Sequence, residues 1–298
     1  MSDAPPKRLK IAIAIATANR RDGLSDTIAY LSRQTRSADA FLICPAKPQD
    51  VDDARLADYG APIEVIPGPT GLPKQRNVLM AASDADIIIF FDDDFLPADT
   101  FIAETEALFL AHPDIVIATG KVLADGANGP GILYDDAVAT LAADQPPQPP
   151  VLTPTYGGYG CNMAFRLAVA KAHDIRFDEN LPLYGWWEDI DFSRRLAPYG
   201  KIIRSTTLRG VHLGSKSGRT SGVKLGYSQI ANIIYMQRKG SVSGLVAVRQ
   251  VLRNLIANHL RYFKPEAWVD RAGRIKGNWI ALTDILKGRM HPERILEL

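Results

Sequence analysis

The stretch Asp86-Ile87-Ile88-Ile89-Phe90-Phe91-Asp92-Asp93-Asp94 decides how this chain is read. Five apolar residues, β-branched then aromatic, read as a buried strand. The strand runs straight into three carboxylates. Open α/β sheets bind their ligands outside the carboxyl ends of the strands, which is where this acidic turn falls. Three adjacent carboxylates repel one another unless a cation compensates, and oxygen donors suit Mg2+ or Mn2+. In extended chain the side chains of Asp92 and Asp94 point the same way, so these two can share one ion or ligand. The bland alternative is a solvated acidic turn.

Working outward, residues 9–16 alternate Ile and Ala and read as a buried strand. Residues 22–34 read as a helix with Leu24, Ile28 and Leu31 on one face. Short strands are expected at 41–44 and 63–66, helices at 72–82 and 99–110, and a strand at 115–120. That alternation predicts a parallel α/β sheet. Residues 122–155 are rich in Gly, Pro, Ala and Asp and read as a variable loop. Beyond them, 157–165 is strand-like, 188–196 helical and 200–204 a strand. Residues 213–222 form a Gly/Ser-rich loop carrying Lys216 and Arg219. Helices are expected from 223 onward. One of them, 245–263, sets apolar Leu245, Val248, Leu252, Leu255 and Ile256 beside Arg249, Arg253 and Arg261. Such a helix packs on the domain or lies on a membrane surface.

The chain has 298 residues, 46% hydrophobic and 23% charged, which excludes a disordered or collagen-like chain. Two cysteines, Cys44 and Cys161, supply neither a disulfide framework nor a zinc site alone, and suggest a reducing compartment. No apolar run is long enough to span a bilayer, and the polar first ten residues do not read as a signal peptide. A cytoplasmic protein is expected. The net charge of +2 hides an asymmetry. From Arg194 onward 20 Lys and Arg face 5 Asp and Glu, a balance of +15 against −13 for the preceding residues. A basic segment of this kind suits an anionic membrane, a nucleic acid or a phosphorylated ligand, or is simply a solvated face.

A second acidic block, Tyr184-Gly185-Trp186-Trp187-Glu188-Asp189-Ile190-Asp191, puts two indoles beside three carboxylates. Aromatic surface desolvates a carboxylate and raises its pKa toward that of a useful general base. Indole faces also stack on sugar rings. The competing reading is a helix first turn, which favours acids, beside core tryptophans. Other assignments fit less well. A haloacid-dehalogenase-type phosphatase expects Thr or Val where Leu96 stands, and a sugar nucleotidyltransferase expects glycines in Ala16-Thr17-Ala18-Asn19-Arg20. No P-loop or dinucleotide fingerprint is present.

Several segments together resemble the family-2 glycosyltransferases of the GT-A fold, over about residues 9–215. They are Thr17-Ala18-Asn19-Arg20, Gly71-Leu72-Pro73-Lys74-Gln75-Arg76-Asn77, and Phe91 to Asp94 as an Asp-x-Asp motif. Gly160-Cys161-Asn162-Met163-Ala164-Phe165-Arg166, Phe177-Asp178-Glu179 and the Trp-Trp-Glu-Asp block complete the set. The resemblance implies a Rossmann-like mixed sheet flanked by helices over residues 1–222. The nucleotide-sugar half is about 9–121, the acceptor half about 156–222, and 223–298 a basic helical extension.

It further implies that Thr17, Asn19 and Arg20 form a nucleotide-contacting loop with Asp93. Arg76 contacts the base or positions an Asp, and Asp92 bonds the ribose. Asp94 holds a Mn2+ or Mg2+ ion on the diphosphate, with His212 as a further ligand. Asp189 is the catalytic base and Glu188 holds acceptor hydroxyls. Trp186, Trp187 and Gly160 form the sugar and acceptor site, and Lys216 and Arg219 close over the diphosphate. One base implies a single displacement with inversion.

The expected donor is a UDP-sugar. The family often ends its second strand in an acidic turn that reads the base, but this chain has Cys44-Pro45-Ala46-Lys47, which leaves Asp50 or Asp52 as substitutes. The expected acceptor is a glycan or a polyprenyl-diphosphate-linked glycan, with an anionic membrane surface as partner. Nucleic acid is not expected, because the basic third lacks an interleaved aromatic platform. An inactive carbohydrate-binding or scaffold protein is the alternative.

Overall fold

The computed structural model describes residues 8–216 and 221–298. The first strand, β1 (Ile11–Thr17), shows how its alternation works. Ile11, Ile13 and Ile15 enter one hydrophobic core, while Ala12 and Ala14 enter the other. The strand β4 (Ile87–Asp92) divides the same way, with Ile87, Ile89 and Phe91 on one side and Ile88 and Phe90 on the other. Successive side chains of a strand point to opposite faces, so both strands are buried on both. The helices α1 (Arg21–Leu31) and α3 (Phe101–Ala111) cover the first face, through Leu24, Ile28, Phe101 and Phe109. The second face is covered by α2 (Leu72–Ala82), α5 (Leu167–Ala172) and α6 (Glu188–Leu196), through Leu79, Leu167 and Phe192.

The remaining strands are β2 (Ala40–Pro45), β3 (Glu64–Val65), β5 (Phe95–Pro97), β6 (Ile115–Asp125), β7 (Leu152–Pro154), β8 (Asn162–Arg166) and β9 (Lys201–His212). The sheet order is β3-β2-β1-β4-β8-β6-β9-β5, with β7 also on β9. Alternation of strands and helices predicts a parallel sheet, and β1 to β4 obey it. The other half does not. Strand β8 runs antiparallel between β4 and β6, and β5 and β7 run antiparallel to β9. The sheet is therefore mixed, as the resemblance implies.

The segment read as a variable loop is partly ordered. Strand β6 continues to Asp125, α4 spans Tyr134–Ala143, and β7 follows. Tyr134, Ala137, Val138 and Leu141 recur at helical spacing and pack with Tyr30, Leu96 and Val211. The Gly, Ala and Asp around them mask that period. Strand β9 likewise continues well past the expected 204 and ends at His212.

The C-terminal part is three helices, α7 (Gly222–Lys239), α8 (Gly244–Tyr262) and α9 (Arg271–Leu286). Helices α7 and α9 approach closely at glycines. A Cβ on Gly226 would lie 2.1 Å from the Arg274 carbonyl oxygen, and one on Gly277 2.0 Å from that of Val223. Polar side chains are buried in this bundle as a connected set. Asn258 donates to Gln229 and Asn278, Arg271 donates to Asn258, and Asn278 donates to the Gly226 carbonyl. Buried amides cost little when paired and much when not.

Candidate active site

The acidic turn and the Trp-Trp-Glu-Asp block are far apart in sequence and meet at one guanidinium. Arg76, on α2, is almost completely buried. It donates to Glu188 Oε1 at 2.5 Å, to Asp92 Oδ1 at 3.2 Å and to the Gly160 carbonyl at 2.9 Å. Its plane is held against Phe90 and Phe177, whose centroids lie 5.2 and 5.3 Å away. The next residue, Asn77, ties α2 to the Phe177 backbone and to Glu179. Arg76 is thus spent on holding carboxylates and is not free to reach a base.

Asp189 opens α6 beside Glu188. Its Oδ2 accepts from the Gly160 amide at 3.0 Å and its Oδ1 from its neighbour Ile190 at 2.8 Å. Gly160 fits between Arg76 and Asp189, because a Cβ there would lie 3.1 Å from the guanidinium and 3.4 Å from the carboxylate. Burial pushes the Asp189 carboxyl above its ordinary value, while the Gly160 amide and Arg76 oppose the rise. Burial also lifts Glu188 to about 8 against the pull of Arg76, and its Oε2 has no hydrogen-bond partner. Trp186 and Trp187 stack on each other at 5.4 Å, and Trp187 takes a left-handed backbone conformation (φ 73°) at the start of α6.

The second cluster forms where β4, β6 and β9 end. Asp92, Asp94 and His212 each offer an atom within 4.8 Å of the others. His212 Nε2 lies 3.2 Å from Asp94 Oδ1 and 3.8 Å from Asp92 Oδ2. On its other side His212 Nδ1 is 2.9 Å from Asp125 Oδ1, and Tyr159 donates to Asp125 Oδ2 at 3.0 Å. Asp125 and His212 are register partners at the ends of the parallel strands β6 and β9. Burial pulls the His212 imidazolium down, but Asp125 and Asp94 overcome it and lift it to about 10. Burial raises Asp94, yet His212, Arg20 and the Ser215 amide bring it down to about 2. The Asp94 Oδ1 atom is buried with no hydrogen-bond partner. One imidazole nitrogen and two carboxylates, each with an atom within 4.8 Å of the others, make a donor set that fits Mn2+ or Mg2+. An imidazole whose far nitrogen faces a carboxylate is also the usual second layer of a metal site. Asp125 was missed in the sequence because its segment carries no motif.

Both clusters line one cleft of roughly 1180 Å³. Arg20, Arg76, Asp92, Asp94, Gly160, Trp186, Trp187, Glu188, Asp189, His212 and Lys216 all reach its wall. The opposite wall comes from α7, α8 and the start of α9, including Gln229, Arg253, Asn254 and Arg261. Other expected contacts turn elsewhere. Thr17 donates to Asp93 at 2.7 Å and both are buried, so this pair holds Arg20 from behind, Arg20 reaching Asp93 at 2.9 Å. Asn19 donates its amide to Asp50. Thr17, Asn19 and Asp93 are therefore not brought to the cleft wall. Asp50 is spent on capping the turn at Lys47, and Asp52 pairs with Arg21. Lys216 donates to the carbonyls of Gly126 and Ala127. Arg219 lies outside the described residues.

A mixed sheet with helices on both faces and an acidic cleft at its strand ends is the architecture of the GT-A glycosyltransferases. The glycosyl transferase family 2 profile matches residues 12–171, more than half of the chain, and the chain belongs to that family. Its fold is similar to that of S. aureus TarS 1-349, with TM-score 0.57 and 16% identity, over 96% of this chain and 82% of the other. TarS 1-349 has also been solved with UDP-GlcNAc (TM-score 0.55, 14% identity, 94% and 93% covered). The mannosyltransferase PcManGT from Pyrobaculum calidifontis, solved with GDP-Man and Mn2+, aligns with TM-score 0.57 and 13% identity, over 94% and 88%. A comparison with curated proteins finds no match. Among the described residues no helix is long and apolar enough to cross a membrane.

Proposed function

We propose that this chain is an inverting glycosyltransferase. It moves a sugar from a nucleoside-diphosphate sugar, UDP being the expected nucleotide, to a hydroxyl of a glycan or polyprenyl-diphosphate-linked glycan in the cytoplasm. Residues 1–222 carry the transferase domain and 223–298 the extension that closes the cleft. The observation that carries the reading is one cleft shared by Asp92, Asp94 and His212 with Asp189.

Asp94 and His212, with Asp92 beside them, would hold a divalent cation. When bound, such an ion stabilises the negative charge that develops on a departing diphosphate. Arg20 and Lys216 reach the same wall and would add positive charge there. Asp92 would bond the ribose. Asp189 accepts the proton of the acceptor hydroxyl as that oxygen bonds to the anomeric carbon. The bond from that carbon to the diphosphate oxygen breaks, and the nucleoside diphosphate leaves with the electron pair. Burial above the ordinary carboxylate range suits Asp189 to this role, since a base works best near the operating pH. Trp186 and Trp187 offer an aromatic floor for a sugar.

Thermal stabilisation by UDP, GDP, dTDP and CDP, each with and without Mn2+, tests the reading. Metal-dependent stabilisation by one nucleotide supports it and identifies the donor class. Indifference to all four returns the chain to the scaffold alternative. Asp189→Asn is expected to lower transfer by about 10²–10⁴-fold while leaving nucleotide binding in place. Transfer surviving within about tenfold would remove Asp189 from the role of base.

A further inference from the structure

Helix α8 is finished on one side only. Ala247, Asn254 and Asn258 are buried, and Val251 and Leu255 pack into the bundle with α7 and α9. On the outward side Leu245, Val248, Leu252, Ile256 and Leu260 are all exposed, Leu245 by 82% and Leu260 by 68%. They recur every three or four residues, so they form one continuous ridge along the helix. Phe263, 86% exposed, extends it past the helix end. Scattered surface leucines mean little, but a contiguous apolar ridge marks a docking surface.

The charges beside the ridge name the occupant. Arg249 and Arg253 are exposed along it, Arg261 turns to Glu266, and no Asp or Glu occurs from 244 to 263. Exposed Trp279 of α9 stands by His259 of α8, their rings 6.2 Å apart, and Tyr262 is exposed at the helix end. Aromatic residues with one polar edge suit a water–lipid boundary. A second copy meeting α8 through a two-fold axis would oppose the same ridge, arginines included, with no acid on either helix to compensate. A surface of lipid phosphates has the complementary charge and an apolar layer beneath it. None of the described helices is long and apolar enough to cross such a surface.

We propose that α8 docks this chain on an anionic lipid surface. Leu245, Val248, Leu252, Ile256, Leu260 and Phe263 enter the headgroup–acyl boundary while Arg249 and Arg253 hold lipid phosphates.

Flotation of the full chain with vesicles tests the docking, comparing pure phosphatidylcholine with phosphatidylcholine containing about one third phosphatidylglycerol. Binding to the anionic vesicles alone, weakened by salt, is expected. Leu252→Glu with Ile256→Glu should lower it at least about tenfold with an unchanged thermal midpoint. Arg249→Gln should lower it about fivefold. No flotation, equal flotation on neutral vesicles, or binding indifferent to the double variant overturns the proposal. So does a concentration-dependent dimer that Leu252→Glu disperses, which would make a second copy the occupant. The nucleotide response of the same samples separates the two readings. Vesicle binding without it upholds the docking and removes the transferase reading; the reverse removes the docking alone.

Discussion

Replacing Arg76 by methionine tests whether one buried guanidinium holds the two acidic clusters together. Methionine keeps much of the length and the contact with Phe90 and Phe177 but removes every donor. Three acceptors lose their partner: Glu188, Asp92 and the Gly160 carbonyl. The Asp92 side chain is 23% exposed and recovers water, whereas that of Glu188 is 6% exposed and does not. The cost therefore centres on Glu188 and depends on pH. With its folded pKa raised from 4.5 to about 8, Glu188 contributes stability that is complete below the unfolded value and lost as pH rises through about 8. Without Arg76 its carboxyl holds the proton to still higher pH. Near pH 6 Glu188 is neutral in both proteins, and the variant loses only ordinary hydrogen bonds, about 1–2 kcal/mol. Near pH 9 the wild-type carboxylate is paired, whereas the variant must either keep the carboxyl protonated or leave it charged without a partner, so the cost rises to about 3–5 kcal/mol. Urea unfolding at the two pH values, with unchanged slope, measures both numbers. Glu188→Gln in the Arg76→Met background should recover most of the high-pH loss, because both partners are then uncharged. A cost below about 1 kcal/mol at pH 9, or one that shrinks as pH rises, would refute the argument.

Asp94→Ala should weaken Mn2+ and nucleotide binding together in a calorimetric titration; loss of neither would remove Asp94 from the metal site. Asp125→Asn should reduce metal affinity about 10–100-fold, since it weakens the support behind His212 without touching the cleft's carboxylates. Gly226→Ala should destabilise the chain by about 1–3 kcal/mol in thermal unfolding, because its Cβ would overlap the Arg274 carbonyl and force α7 from α9. A neutral outcome there would mean that the two helices do not pack as tightly as described.

Local chemistry was legible where one short window held it. The Ile–Ala alternation of β1 sorts two cores by a period of two, and that period is written in seven residues. The acid at the end of β4 and the acids opening α6 were equally plain. Helix α4 was not, because four packing residues sit in a Gly- and Ala-rich background. The partners that Thr17, Asn19 and Asp93 take, away from the cleft wall, were not legible in the motif either. Asp93 lies in the turn that follows β4, and its carboxylate turns to Thr17 and Arg20.

By itself the sequence determined the sheet-forming segments, the two acidic blocks and the acid-free arginine face of α8, since each depends on periodicity and composition within a few residues. Tertiary structure alone decided what those groups face. Arg76 reaches Glu188 across 112 positions, and His212 reaches Asp125 across 87. Such pairings arise from strand order and register, and no local pattern encodes them. Whether the ridge of α8 is core or surface was settled the same way: the amphipathic pattern is in the chain, but α7 and α9 cover only one of its sides.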